Sequence, residues 1–166
     1  MFSKLIPDKY VKNYFDITPE MIKSLGGKAV FVDLDGTLVS KNTKKPTQEV
    51  LDWIKSLEDE NIQFVLISNN TLNRVETFAK DTGIKFIASA KKPLKGGFDK
   101  ALKFIDKDIN PSNIVMIGDQ IFTDTFVSRR YNAKSIYVHP IDQNSTYVKF
   151  RTRVTEPYFV NKVKNK

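Results

Sequence analysis

The sequence predicts an α/β fold: a doubly wound sheet of about five parallel strands, with helices on both faces and no inserted cap domain. Three observations predict it. Short apolar runs alternate with segments of helical periodicity along the chain. The runs are apolar throughout rather than at every second position, as strands covered on both faces must be. The runs also end in polar residues, at the edge where such sheets open a crevice.

Taken in order, residues 1–27 read as a helical extension. In "DITPEMIKSLGG", Thr18 suits the N-cap, Pro19 the first turn, and Gly26-Gly27 the stop. "KAVFVDL" is a buried strand. "TQEVLDWIKSLEDEN" places Val50, Leu51, Ile54 and Leu57 on one helical face behind a Thr47 cap, and Trp53 packs a helix edge. "IQFVLISNN" is a second strand, and "TLNRVETFAKDTG" a helix closed by Gly83. "IKFIAS" is a short third strand and "KGGFDKALKFIDK" a helix. "SNIVMIGD" is the fourth strand, "TDTFVSRRYNA" a short helix and "KSIYVHPI" the fifth strand. His139, the one histidine, ends that strand and is read as structural. Residues 149–166 read as a basic tail, and the whole chain as one domain of 166 residues.

Cysteine is absent, which excludes disulfides and thiolate chemistry. No apolar run approaches the ~20 residues of a membrane span, and the first residues lack a secretory h-region. The expected location is cytoplasmic. The net charge of +8 favours anionic partners or serves solubility alone.

The strand ends carry the chemistry. The first ends in Asp33 and Asp35, the second in Ser68-Asn69-Asn70. The third is followed by Lys91-Lys92-Pro93, and the fourth by Gly118-Asp119 with Asp124 shortly after. Carboxylates converging on one mouth repel unless a cation joins them, and oxygen ligands select a hard one, best Mg2+. Asp33, Asp119 and the Asp35 carbonyl suit that ion. A hydroxyl, backbone N–H groups and a lysine suit a phosphoryl group. One carboxylate can attack phosphorus while a second handles the proton. Each residue also has a plainer reading. Asp33 and Asp35 could form a structural turn, Ser68, Asn69 or Asn70 could cap the next helix, and Asp124 could cap the helix it begins. Either Lys91 or Lys92 could be the site cation.

"DLDGTL", "ISNN", "AKKP" and "GDQIFTD" resemble, in order and spacing, the motifs of haloacid dehalogenase (HAD) superfamily phosphatases, from about Lys28 to Pro140. "LIPDKYVKNYFDITPE" and "IGDQIFTD" are similar, more narrowly, to the YqeG group of bacterial HAD subfamily IIIA. That group resembles phosphatidylglycerophosphate phosphatases of phospholipid synthesis. The resemblance implies a Rossmann-like HAD fold and a Mg2+-dependent phosphatase. It implies Asp33 as nucleophile and metal ligand, and Asp35 as general acid and base with its carbonyl on the metal. Thr37 steadies the loop, Ser68 and Asn69 hold phosphoryl oxygens, and Lys92 balances charge. Asp119 is a metal ligand, and Asp124 contacts or supports the metal. The chain departs from the group after Asp124, where "TFVSRRYNA" replaces a glycine-rich turn.

The intervals from Asp35 to Ser68 and from Ser68 to Lys92 leave no room for a cap. An open site suits a large or surface-bound phosphorylated substrate, such as a lipid headgroup, a protein or a nucleic acid end. Both termini mix aromatics with lysines and would either dock peripherally on an anionic membrane at its inner face or cover the sheet. Arg129 and Arg130 are candidate headgroup contacts. The rival class is a HAD-fold scaffold for RNA, a ribosome or a protein partner, with little or no activity.

Overall fold

The computed structural model describes residues 5–142, 146–154 and 156–164. Six strands form one all-parallel sheet: β1 (Lys9–Val11), β2 (Ala29–Val32), β3 (Gln63–Ile67), β4 (Phe86–Ile87), β5 (Ile114–Gly118) and β6 (Lys134–Val138), in the order β1-β6-β5-β2-β3-β4. The helices are α1 (Pro19–Ser24), α2 (Gln48–Asp59), α3 (Leu72–Ala79), α4 (Lys95–Leu102), α5 (Phe126–Arg130), α6 (Thr146–Val154) and α7 (Glu156–Lys164). The order reverses direction around β2, whose end therefore faces the crevice.

The pleat sends alternate residues of β2 to opposite faces. Val30 and Val32 join a core built with Ile22 of α1, Val50, Trp53, Ile54 and Leu57 of α2, and Val75 and Phe78 of α3. Ala29 and Phe31 join a second core with Phe98 of α4 and Val127 of α5. Every residue of β2 and β5 is buried, as strands roofed on both sides require. The expected caps hold. Thr18 Oγ1 accepts from the Met21 N–H, and Thr47 Oγ1 from the Val50 N–H. Trp53 donates from Nε1 to the Ile17 carbonyl at 2.9 Å, tying α2 to the N-terminal segment.

Two expectations are corrected. The N-terminal segment is not only helical: Lys9–Val11 adds a sixth strand beside β6. Three residues with one buried side chain carry no readable period. The pairing is fixed from outside, by mutual bonds between Asp8 and Ser135 and by the His139 N–H donating to the Val11 carbonyl. The C-terminal residues form α6 and α7 rather than a tail. Phe159 of α7 is buried with Leu5, Ile121 and Tyr137.

Candidate active site

The backbone sets the site before any side chain does. The Asp33 N–H donates to the Ile117 carbonyl at 2.9 Å, so the sheet ladder runs one residue past β2 and aims Asp33 at the crevice. The chain then turns through Gly36 at φ 89°. A Cβ there would lie 2.9 Å from Asp119 Oδ2, so glycine permits both the left-handed turn and the close approach. Thr37 Oγ1 donates to Asp119 Oδ1 at 3.2 Å, steadying the loop against the end of β5. Past β5 the chain makes a wide π-type turn, Ile121–Thr125, that brings Asp124 back over Gly118. A Cβ on Gly118 would meet Asp124 Oδ2 at 2.2 Å.

Asp33, Asp119 and Asp124 are thereby brought together, one carboxylate oxygen of each lying within 4.8 Å of the others, and all three residues are buried. Lys92 reaches them from the segment after β4. Its Nζ lies 2.7 Å from Asp33 Oδ1 and 2.7 Å from Asp124 Oδ1. Lys92 is the site cation; Lys91 is exposed. The choice is made by Asn69, whose side chain accepts from the Lys92 N–H at 2.6 Å and donates to the Lys92 carbonyl at 3.0 Å.

Burial dominates the electrostatics. It pushes the Asp33 carboxyl up to about 6, with Lys92 opposing and Asp124 and Asp35 adding to the rise. Burial raises Asp124 in the same way. For Lys92 burial works against the charge, but the Asp124 and Asp33 carboxylates outweigh it and hold the ammonium above its usual range. The Lys92 ammonium thus pairs with two of the three buried carboxylates. Hard oxygen donors gathered on one buried point fit a divalent cation, which would also offset the cost of ionising them there.

Asp35 stands apart from the trio. Asn70 Nδ2 donates to its Oδ2 at 2.9 Å and Arg74 Nη2 to its Oδ1 at 2.7 Å, so both oxygens are held. The sequence motifs do not contain Arg74. Its one signal is position, in the first turn of α3 directly after Ser68-Asn69-Asn70. Ser68 is buried at the end of β3, and its Oγ accepts from the Asn70 N–H at 3.1 Å. It does not cap α3; Thr71 does, accepting from the Arg74 N–H. Arg129 is not a free headgroup contact: it pairs with Asp8 at 3.0 Å and donates to the Ile6 carbonyl. Arg130 donates to the Pro93 carbonyl.

The sequence model of the family described as Mitochondrial PGP phosphatase matches residues 2–141. The chain belongs to that family. It is 32% identical over 161 residues to the Bacillus subtilis (strain 168) protein named Probable phosphatase YqeG, covering 97% of this chain and 92% of that protein. A crystal structure of an uncharacterized protein from Listeria monocytogenes serotype 4b shares the fold, with a TM-score of 0.54 and 16% identity over 66% of this chain and 77% of that one. This PGP phosphatase family member is a phosphatase of the HAD type, and the ends of β2, β4 and β5 meet through Asp33, Lys92, Asp119 and Asp124.

Proposed function

We propose that the protein is a Mg2+-dependent phosphomonoesterase that works through an aspartyl-phosphate on Asp33, with phosphatidylglycerophosphate as its substrate. The observation that carries this reading is the buried trio of Asp33, Asp119 and Asp124 gathered at the mouth of the sheet, with the Lys92 ammonium shared by Asp33 and Asp124. A scaffold has no use for buried carboxylates left short of positive charge. Asp33, Asp119 and the Asp35 carbonyl, supported by Asp124, would hold Mg2+, which when bound supplies positive charge to the phosphoryl oxygens.

The chain's own residues account for the rest. Ser68 and the Asn69 N–H bind phosphoryl oxygens, and Lys92 neutralises the Asp33 side of the group. An Asp33 oxygen bonds to phosphorus as the bond to the leaving oxygen breaks, and Asp35 gives that oxygen its proton. Asp35 then takes a proton from water as the water oxygen bonds to phosphorus, releasing phosphate and regenerating Asp33. The site has no cap: a loop joins β2 to α2 and α3 alone lies between β3 and β4. That openness suits a headgroup presented at the inner face of a membrane to a cytoplasmic protein. No described helix is long and apolar enough to cross a membrane.

The test is phosphate release from p-nitrophenyl phosphate with and without Mg2+, then from phosphatidylglycerophosphate against nucleotides and sugar phosphates. Asp33→Asn is expected to abolish Mg2+-dependent release. Undiminished turnover by that variant would refute the mechanism, and preference for a soluble phosphate would refute the substrate.

A further inference from the structure

We propose that the active-site edge of the sheet is itself a docking surface for an anionic lipid bilayer, with Phe15, Leu72, Leu94, Phe122, Phe126 and Ile141 entering the interface. These six are among the eight large apolar side chains that stand exposed among the described residues, at 40–59% of their surface. Their order along the chain is the telling feature. Phe15 follows β1, Leu72 follows β3, Leu94 follows β4, Phe122 and Phe126 follow β5, and Ile141 follows β6. In an all-parallel sheet, residues just past the strands' carboxyl ends share one edge. Six side chains spread from position 15 to position 141 therefore gather at the mouth. Phe104, by contrast, follows α4 at the opposite edge.

Single exposed apolar residues are ordinary on soluble proteins, but a set ringing one opening is not. The ring is joined to the site by contacts. Ile141 donates from its N–H to the Gly36 carbonyl at 2.9 Å. Phe15 and Ile141 line a groove of about 340 Å³ together with Thr37 and Leu38. Phe122 and Phe126 flank Asp124, and Leu94 lies two residues past Lys92.

Charge identifies the occupant. Lys41, Lys44 and Lys45 lie in the loop after β2, and Lys91 lies after β4; all four are exposed. Among the described residues none of them pairs with a carboxylate. Two acidic groups on this edge are already engaged, Asp16 by the Asn13 N–H and Asp142 by the Lys41 N–H. Apolar side chains interleaved with free lysines match the interfacial layer of an anionic bilayer. A second copy of the chain would set these lysines against themselves at a net charge of +8 each.

The proposal deepens the phosphatase reading by naming what the mouth meets, and it rests on that reading only for the mouth being catalytic. The test is co-sedimentation of the full chain with vesicles, run beside turnover of p-nitrophenyl phosphate. The probe vesicles are equal parts phosphatidylglycerol and phosphatidylcholine, compared with phosphatidylcholine alone. Leu72 opens α3 and Leu94 is the N-cap of α4, so aspartate at either position suits the local helix. The wild type is expected to pellet with the anionic vesicles only. The Leu72→Asp/Leu94→Asp variant should pellet about tenfold less and keep its soluble turnover within about twofold. Phe104→Asp should pellet like the wild type. Pelleting of the double variant at the wild-type level would overturn the proposal. So would equal loss in Phe104→Asp, no binding by the wild type, or a wild-type dimer that the double variant disperses. Absent turnover in the wild type would instead sink the catalytic reading and leave the sedimentation result intact.

Discussion

Lys92 shows how much one residue carries here. Its ammonium is shared by two buried carboxylates, and a third lies within 4.8 Å of them. Removing it takes away the ammonium that Asp33 and Asp124 share. Lys92→Ala is expected to cost about 3–5 kcal/mol in urea unfolding without divalent metal, and Mg2+ should restore part of that loss. The same trio predicts a pH effect. Folded Asp33 holds its proton up to about 6 rather than the ordinary 3.8. Between those values the folded protein binds more protons than the unfolded chain, so stability falls as pH rises through the window. A bound divalent cation relieves the cost of the ionised form. The rise in unfolding midpoint on adding Mg2+ should therefore be larger at neutral pH than below the window, as calorimetry would show. Arg74 acts through Asp35 by fixing one of its oxygens. Arg74→Ala should lower turnover of an alkyl phosphate by about tenfold or more, and that of p-nitrophenyl phosphate much less, because a poor leaving group depends more on the proton donor. Equal loss on both substrates would assign Arg74 a structural role.

At the level of elements, the site is made by four strand ends, and three of them are delivered by a local device. Gly36 and Gly118 permit the close approach of the β2 and β5 loops to Asp119 and Asp124. The third device lies under the lysine segment. A Cβ on Gly97 would sit 2.5 Å from the Ala90 carbonyl oxygen, so the first turn of α4 presses directly on the chain that carries Lys92. Gly97→Ala is expected to destabilise by about 1–3 kcal/mol, read from denaturant midpoints. It should also weaken turnover, since the shift it forces moves the backbone two residues from Lys92. The end of β3 needs no such device. Ser68 lies in the ladder itself, with its N–H on the Ile87 carbonyl and its carbonyl accepting from Ala90.

Across the whole molecule, the sheet has two unlike ends. On one side β4 is two residues long, which blunts that edge. On the other, β1 closes the sheet and α7 packs on it through Phe159 against Leu5, Ile121 and Tyr137. The N- and C-terminal segments thus stabilise each other at the β1 edge. Phe159→Ala should cost about 3 kcal/mol of stability and expose the C-terminal helices to proteolysis, and because Phe159 packs on Ile121 and Phe122 of the turn that carries Asp124, Mg2+-dependent turnover should fall with it. Retained Mg2+-dependent turnover in the folded variant would show that the C-terminal clamp is separate from the chemistry.

The sequence by itself determined the central sheet, because fully buried parallel strands must be apolar at every position, and "AVFV" and "IVMIG" could be little else. It also determined the acidic and basic side chains at the mouth, because polar groups at the carboxyl ends of such strands have one shared place to go. The tertiary structure alone decided the pairing of β1, whose three residues carry no period, and, of the two readings open for the basic C-terminal segment, the one in which Phe159 is buried against the fold. Lys92 rather than Lys91 was already implied by the resemblance, and the structure adds the reason, a bond from the Lys92 N–H to Asn69 across 23 positions of sequence. It alone placed Arg74 on Asp35. Periodicity reports which face of an element is buried, whereas these contacts depend on which elements meet, and only the folded chain fixes that.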